Sequence, residues 1–349
     1  MPPVKVFLVD DSAVVRTVIG RRLREAGFEV LGTAMNGQQA LQKIPALRPD
    51  VVVMDVEMPV LDGLSTLREL MAKHPVPVIM LSAHTQAGSR ATIEALAFGA
   101  VDFVPKPAGT AEMPAIISEL SAKIAAAVGA SVKSSLIQVA PARGKALHAP
   151  VASRTPKRKT DLVVIGCSTG GPNALRVLLS GFPAELPATV VVVQHMPVGF
   201  TASLAEHLNA ICLLEVRHAR DGDPVLPGRV LIAPAGKVFG FRTDADGVRA
   251  VVTEDNTPLA PGTFRPSVDV VMSRAAAVYG HRVMGVLLTG MGRDGADGML
   301  AIRKKNGYTI AQDESSCVVY GMPRAAVENG SARRVLPLSQ IAAEIMGKL

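Results

Sequence analysis

The sequence predicts two successive α/β units, each built on a largely parallel sheet. Over roughly the first 125 residues, short apolar β-branched runs alternate with stretches of helical periodicity. From Val132 to Thr160 the chain turns to Ala, Pro, Ser and Lys without sustained periodicity. At Asp161 the alternation resumes. The expected division is residues 1–128, a linker at 129–159 and residues 160–349.

In the first unit, strands are expected at Val4–Val9, Val30–Ala34, Val51–Met54, Val78–Leu81 and Phe103–Val104. Helices are expected at Ala13–Ala26, Gly37–Ile44, Gly63–Lys73, Ser89–Ala97 and Ala111–Val128, which makes five βα units. In the second unit, buried strands are expected at Leu162–Ile165, Thr189–Val193, Arg229–Ile232 and Val283–Leu288. Val248–Val252 alternates more weakly, as an edge or antiparallel strand does. Helices fit Pro172–Leu179, Ala202–Ile211, Val268–Tyr279 and Asp297–Lys305. This is a doubly wound, mostly parallel α/β pattern.

Composition narrows the function classes. The 349 residues are 48% hydrophobic and 19% charged, which suits packed domains rather than disorder. No apolar run is long enough for a membrane span, and the N-terminus lacks the features of a secretion signal. Cys167, Cys212 and Cys317 show no metal or disulfide spacing. A cytoplasmic monomer is the expectation. The net charge of +7 resides in one segment: Leu120–Thr160 holds eight Lys or Arg and no acid. Charge balance elsewhere argues against a nucleic-acid partner.

Ligands of open α/β sheets sit beyond the carboxyl ends of the strands. In the first unit those ends carry Asp10 and Asp11, Asp55, Ser82 and Lys106. Three convergent carboxylates call for a hard cation such as Mg²⁺, which would also screen an incoming phosphoryl group. One carboxylate is then the nucleophile, with Lys106 and Ser82 on the phosphoryl oxygens.

With its LVDDS, VVVMDVEMPVLDG, IMLSA and DFVPKP segments, Val4–Ile124 resembles the response-regulator receiver family, a flavodoxin-like (βα)5 fold. The resemblance implies phosphorylation of Asp55 by a histidine kinase. It implies Mg²⁺ held by Asp10 or Asp11, by Asp55 and by the backbone carbonyl of Glu57. Ser82 and Phe103 occupy the family's switch positions.

In the second unit, LVVIGCSTGG places Ser168 at a strand exit among glycines, where a tight turn can expose backbone N–H groups. Of the histidines, His195 follows the apolar run TVVVVQ at a carboxyl end. His281 precedes a strand, His207 lies in a helical stretch and His218 in a charged turn. Asp294, in the glycine-rich turn after VMGVLL, is the favoured orienting carboxylate; Asp297 and Asp269 are weaker candidates, Asp269 being placed for helix capping. Cys167 is set aside as a small buried hydrophobe.

Through IGCSTGGPNAL, VVQHMPVGFTASLAEHLN, FRPSVDVVM, LLTGMGRDGADGM and AQDESSCVVYGMPRAA, Thr160–Lys348 resembles the chemotaxis protein-glutamate methylesterase (CheB) family. Cys167 departs from the alanine common there. The resemblance implies Ser168 as nucleophile, His195 as base and Asp294 as orienting acid. It further implies an oxyanion N–H from Met291, and Thr169 supporting the histidine. Chemoreceptor cytoplasmic helices would be the substrate, hydrolysed at glutamate methyl esters and deamidated at glutamines, with no cofactor needed for the ester chemistry. The linker suggests that the unphosphorylated first unit covers the strand-end cleft of the second.

Overall fold

The computed structural model describes residues 2–83, 85–107, 109, 111–128, 160–259 and 263–349. The basic linker expected at 129–159 lies outside the described residues. The first unit runs β1 (Lys5–Val9), α1 (Ala13–Glu25), β2 (Glu29–Ala34), α2 (Gly37–Leu47), β3 (Val51–Asp55), α3 (Gly63–Lys73), β4 (Val78–Ser82), α4 (Gln86–Ala97), β5 (Asp102–Pro105) and α5 (Met113–Val128). Its sheet order is β2-β1-β3-β4-β5, all pairs parallel. Buried on both faces, β3 and β4 need the continuous apolar runs that made them legible.

Side-chain caps start the helices on time. Ser12, Asn36, Asp62 and Thr85 each accept a backbone N–H from the first turn of α1 to α4. Thr85 starts α4 three residues before the apolar periodicity begins, and α2 runs past Pro45 to Leu47.

The second unit continues with β6 (Leu162–Cys167), α6 (Gly171–Ser180), β7 (Thr189–Gln194), α7 (Phe200–Ile211), β8 (Glu215–His218), β9 (Arg229–Ile232), β10 (Val238–Asp244) and β11 (Gly247–Thr253). Then come α8 (Val268–Tyr279), β12 (Val283–Leu287), α9 (Ala296–Lys304), β13 (Tyr308–Gln312), α10 (Met322–Glu328), β14 (Arg334–Leu336) and α11 (Leu338–Met346). Seven parallel strands form one sheet in the order β14-β13-β12-β6-β7-β9-β8. The weakly alternating β11 pairs antiparallel with β10 in a separate hairpin. The chain moves outward from β6 through β7 and later returns to β6's other side as β12. The strand order therefore reverses at β6, where doubly wound sheets open a crevice.

The two units pack closely. Helix α4 lies against α6 and α7. The Phe103 and Phe200 rings have centroids 4.4 Å apart. Arg90 pairs with Glu206 at 3.0 Å on the exposed rim. One apolar cluster runs from Phe7 and Phe103 into Phe200 and Leu204. Among the described residues, no helix is long and apolar enough to cross a membrane.

Candidate active site

Ser168 follows β6, between a buried strand and a tight turn. Its backbone N–H donates to Thr289 O at 3.0 Å on the β12 side. On the other side, Cys167 pairs with Gln194 and His195 N donates to Cys167 O at 3.0 Å. One further step of this parallel register sets Ser168 beside His195. The expected nucleophile and base are thus neighbours at adjacent strand ends.

The turn depends on glycine. Gly170 has φ of 76°, and an added Cβ would come within 2.7 Å of Val318. Gly290, on the loop after β12, lets that loop approach Ser168: a Cβ there would lie 2.8 Å from the serine Cβ. Helices α6, α7 and α9 start at left-handed Gly170, Gly199 and Gly295 without a side-chain cap. These glycines supply no capping side chain of their own, and on α9 the first-turn N–H of Gly298 is taken by Asp269 instead. The N–H groups of Thr169, Gly170 and Met291 enter no hydrogen bond among the described residues. They are available as oxyanion donors.

His195 and Asp294 form the tightest part of the site. His195 Nε2 lies 2.8 Å from Asp294 Oδ2. The imidazole stacks on Phe264 at 4.0 Å and 12°. Val268 N also donates to Oδ2, while Ser267 Oγ and Asp269 N donate to Oδ1. Burial alone would raise the Asp294 pKa, but the bonds from His195, Asp269 and Val268 outweigh it and hold the carboxyl at about 2. A carboxylate on Nε2 selects the Nε2–H tautomer, so Nδ1 keeps the lone pair. Nδ1 is buried and has no hydrogen-bond partner.

No hydrogen bond joins Ser168 Oγ to His195 in this structure. The His195–Asp294 half of the expected triad is assembled, and the serine is adjacent but not coupled. Thr169 differs from expectation. Its hydroxyl does not support His195 but donates to Asp102 Oδ2, across the boundary between the units, at 2.6 Å. Asp102 wins because it is an ionisable acceptor buried at the interface. Lys123 backs it, bonding to Asp102 Oδ1 at 3.2 Å and to Phe103 O at 2.6 Å.

Two residues escaped the sequence reading. Gln194 Nε2 donates to Ser168 O at 2.9 Å and to His195 O at 2.8 Å, tying the two strand ends together. Its Oε1 lies 3.0 Å from Cys167 Sγ, which can donate to it. An added Cβ on Gly171 would collide with this amide at 2.1 Å. The one signal was a buried amide directly before the histidine. Thr289 is the second: its hydroxyl donates to Thr169 O at 3.0 Å and accepts from Val319 N at 2.9 Å.

The rejected candidates lie elsewhere. Burial pushes the Cys167 thiol far above its ordinary range, which makes it a poor nucleophile. Asp269 accepts Gly295 N and Gly298 N, capping α9 rather than its own helix, and burial followed by the nearby Asp294 pushes it up to about 6. Asp297 is exposed and 3.6 Å from Arg293. His207 sits on α7, His218 bonds to Thr201 Oγ1 at 3.0 Å, and His281 is in the turn before β12.

In the first unit, carboxylate oxygens of Asp10, Asp11 and Asp55 lie within 4.8 Å of one another. That hard oxygen set fits a small divalent cation. Lys106 Nζ is 2.7 Å from Asp55 Oδ2 and 2.9 Å from Asp10 Oδ2. Burial pushes Asp55 up to about 6, although Lys106 pulls the other way. Glu57 N reaches Asp55 Oδ1 at 3.4 Å. The Ser82 hydroxyl is turned away, donating to Gly88 O at 3.3 Å and accepting from Thr92 Oγ1 at 2.6 Å. To donate to a group on Asp55 it must first release Gly88 O.

Residues 163–345 match the family model described as CheB methylesterase, and residues 6–118 that of the response regulator receiver domain. A protein-glutamate methylesterase/protein-glutamine glutaminase of Symbiobacterium thermophilum is 48% identical over 354 residues, covering 97% of this chain and 95% of its own. One of the same name from Archaeoglobus fulgidus is 43% identical, covering 98% and 97%. The crystal structure of the Thermotoga maritima CheB methylesterase catalytic domain is similar with a TM-score of 0.52 and 39% identity, covering 54% of this chain and 99% of that one.

Proposed function

Because the chain belongs to the CheB methylesterase family and joins that enzyme, a protein-glutamate methylesterase and protein-glutamine glutaminase, to a receiver domain, we propose the following reaction. Ser168 attacks the side-chain ester of a methylated glutamate on the cytoplasmic helices of a chemoreceptor. His195 takes its proton through Nδ1, and Asp294 holds the resulting imidazolium at Nε2. Backbone N–H groups of Met291, Thr169 and Gly170 receive the oxyanion. The protonated His195 returns its proton to the leaving methanol, and water then releases the glutamate from Ser168 by the same base. A glutamine amide follows the same course with ammonia as leaving group. No cofactor is assigned to these steps.

The observation that supports this most is the placement of Ser168 beside a preassembled His195–Asp294 pair at the point where the strand order reverses. Methanol release from methylated receptor tests it, and Ser168→Ala is expected to abolish turnover. A variant that keeps most of its activity would sink the assignment. Release without receptor specificity would favour a hydrolase of other esters, and no release would favour an adaptor.

Control is assigned to the receiver, residues 1–128, through the linker 129–159, over the catalytic residues 160–349. Asp55 accepts a phosphoryl group from a histidine kinase. Asp10, Asp11, Asp55 and the Glu57 carbonyl would hold Mg²⁺, which supplies charge neutralisation for the transfer. Lys106 contacts the phosphoryl oxygens, Ser82 rotates toward them, and Phe103 repacks. Since Asp102 holds Thr169 next to the nucleophile, the packed arrangement reads as the closed, low-activity state of a cytoplasmic enzyme.

A further inference from the structure

The loop that carries Met291 continues into a second feature. Gly290, pressed against Ser168, accepts hydrogen bonds at its carbonyl from Gly321 N at 3.1 Å and Met322 N at 2.9 Å. An added Cβ on Gly321 would lie 3.1 Å from Gly292 N. The segment from Tyr320 to Arg324 is thereby seamed to the oxyanion loop. Along the seam lies a cleft of about 510 Å³, lined by Gly292, Gly321, Arg293, Tyr320, Arg324 and Glu328 among others.

The guanidiniums of this cleft are accessible. The Arg293 and Arg324 side chains are 72% and 55% exposed. Their ion pairs are long and solvated: Arg293 with Asp297 at 3.6 Å, Arg324 with Glu314 at 3.4 Å. Such pairs yield readily to a better-placed carboxylate. The lining itself carries Arg293, Arg324 and Glu328, while Asp297 and Glu314, which pair with the two arginines, stand outside it.

We propose that this cleft is a carboxylate subsite for acidic side chains flanking the reacting glutamate on the substrate helix. It rests on the methylesterase reading of Ser168. Gly290 and Gly292 are at most about 7 Å apart along the chain, and an arginine side chain reaches several ångströms further. An α-helix rises about 5.4 Å per turn. With its ester at Ser168, the helix offers Arg293 and Arg324 the side chains one to two turns away. A neighbouring glutamate that has already lost its methyl group gains the charge the subsite reads. Turnover at one position thus promotes turnover at the next.

The test uses the full-length protein with a small phosphoryl donor, and helical peptides carrying one γ-methyl glutamate. The residues four and seven positions away are glutamate, glutamine or lysine. The expected order of kcat/KM is glutamate, glutamine, lysine, with about three- to fivefold per step, the worth of an exposed ion pair. Arg324→Glu narrows the order, and Arg293→Glu with Arg324→Glu inverts it. A gain on the lysine peptide cannot come from misfolding. Equal rates on all three peptides, or an order unchanged by Arg324→Glu, overturns the subsite. Failure of the wild type to release methanol from any peptide overturns the methylesterase reading instead.

Discussion

Asp294 accepts four hydrogen bonds, from His195, Ser267, Val268 and Asp269, and each acts on its chemistry. Its ionised form is favoured by folding, so that stabilisation is complete above the ordinary carboxylate pKa. It is lost as pH falls through about 2. Asp269, pushed up to about 6, has the opposite sign: its contribution is full below about pH 4 and is lost as pH rises through about 6. The Asp294 window is therefore pH 4 to 2. Denaturant unfolding across it should show the wild type losing about 2 kcal/mol that Asp294→Asn does not lose. The same variant should lower kcat about 10³–10⁴-fold in a methanol-release assay, because an amide no longer fixes the Nε2–H tautomer. Gln194→Met keeps the side-chain volume but strips two strand-end carbonyls of their donor. A drop in kcat of about 10–100-fold, with KM little changed, is expected from the lost alignment. Slower labelling of Ser168 by a fluorophosphonate would accompany it. An unaltered kcat would show that the backbone ladder alone aligns the pair.

At the scale of elements, the glycine-initiated turns separate the catalytic edge from the rest. Gly170→Ala must force a methyl group into a left-handed turn against Val318. About 1–2 kcal/mol of backbone strain plus that collision should lower the melting temperature by several degrees. Thermal unfolding followed by circular dichroism measures it. Buried strands such as β6 and β7 were legible because a parallel strand covered on both faces admits little but Val, Ile and Leu. The edge strands β8 and β14 were not. Glu215–His218 alternates charged and apolar residues, and Arg334–Leu336 spans three residues. Helices α10 and α11 and the strands β10 and β13 also went unread. The residues of the candidate site could be picked out from their strand ends, since topology fixes which end faces the crevice. Which imidazole nitrogen meets the acid could not, because that depends on Val268 and Asp269, about 25 residues back in sequence. Thr169 could not be read either. Its partner belongs to the other unit.

For the molecule as a whole, the contact of Asp102 with Thr169 joins the receiver sheet to the methylesterase sheet. Asp102→Ala should raise methanol release in the absence of a phosphoryl donor about tenfold, the worth of one hydrogen bond to a charged group. Deleting residues 1–130 should raise it further. Taking a population from 1:99 closed to 99:1 open requires about 5.5 kcal/mol, so one such bond supplies a fraction and the Phe103–Phe200 packing must supply more. An unchanged rate in both proteins would detach the receiver from control. Asp102 and Lys106 stand four residues apart on and just beyond β5, one gripping the turn beside the serine and the other gripping Asp55. Influence along so short a span runs in both directions. A receptor that wedges the units apart must, by the same thermodynamic cycle, make the acyl phosphate easier to form and keep. The enzyme would then stay switched on longest where its substrate is most abundant.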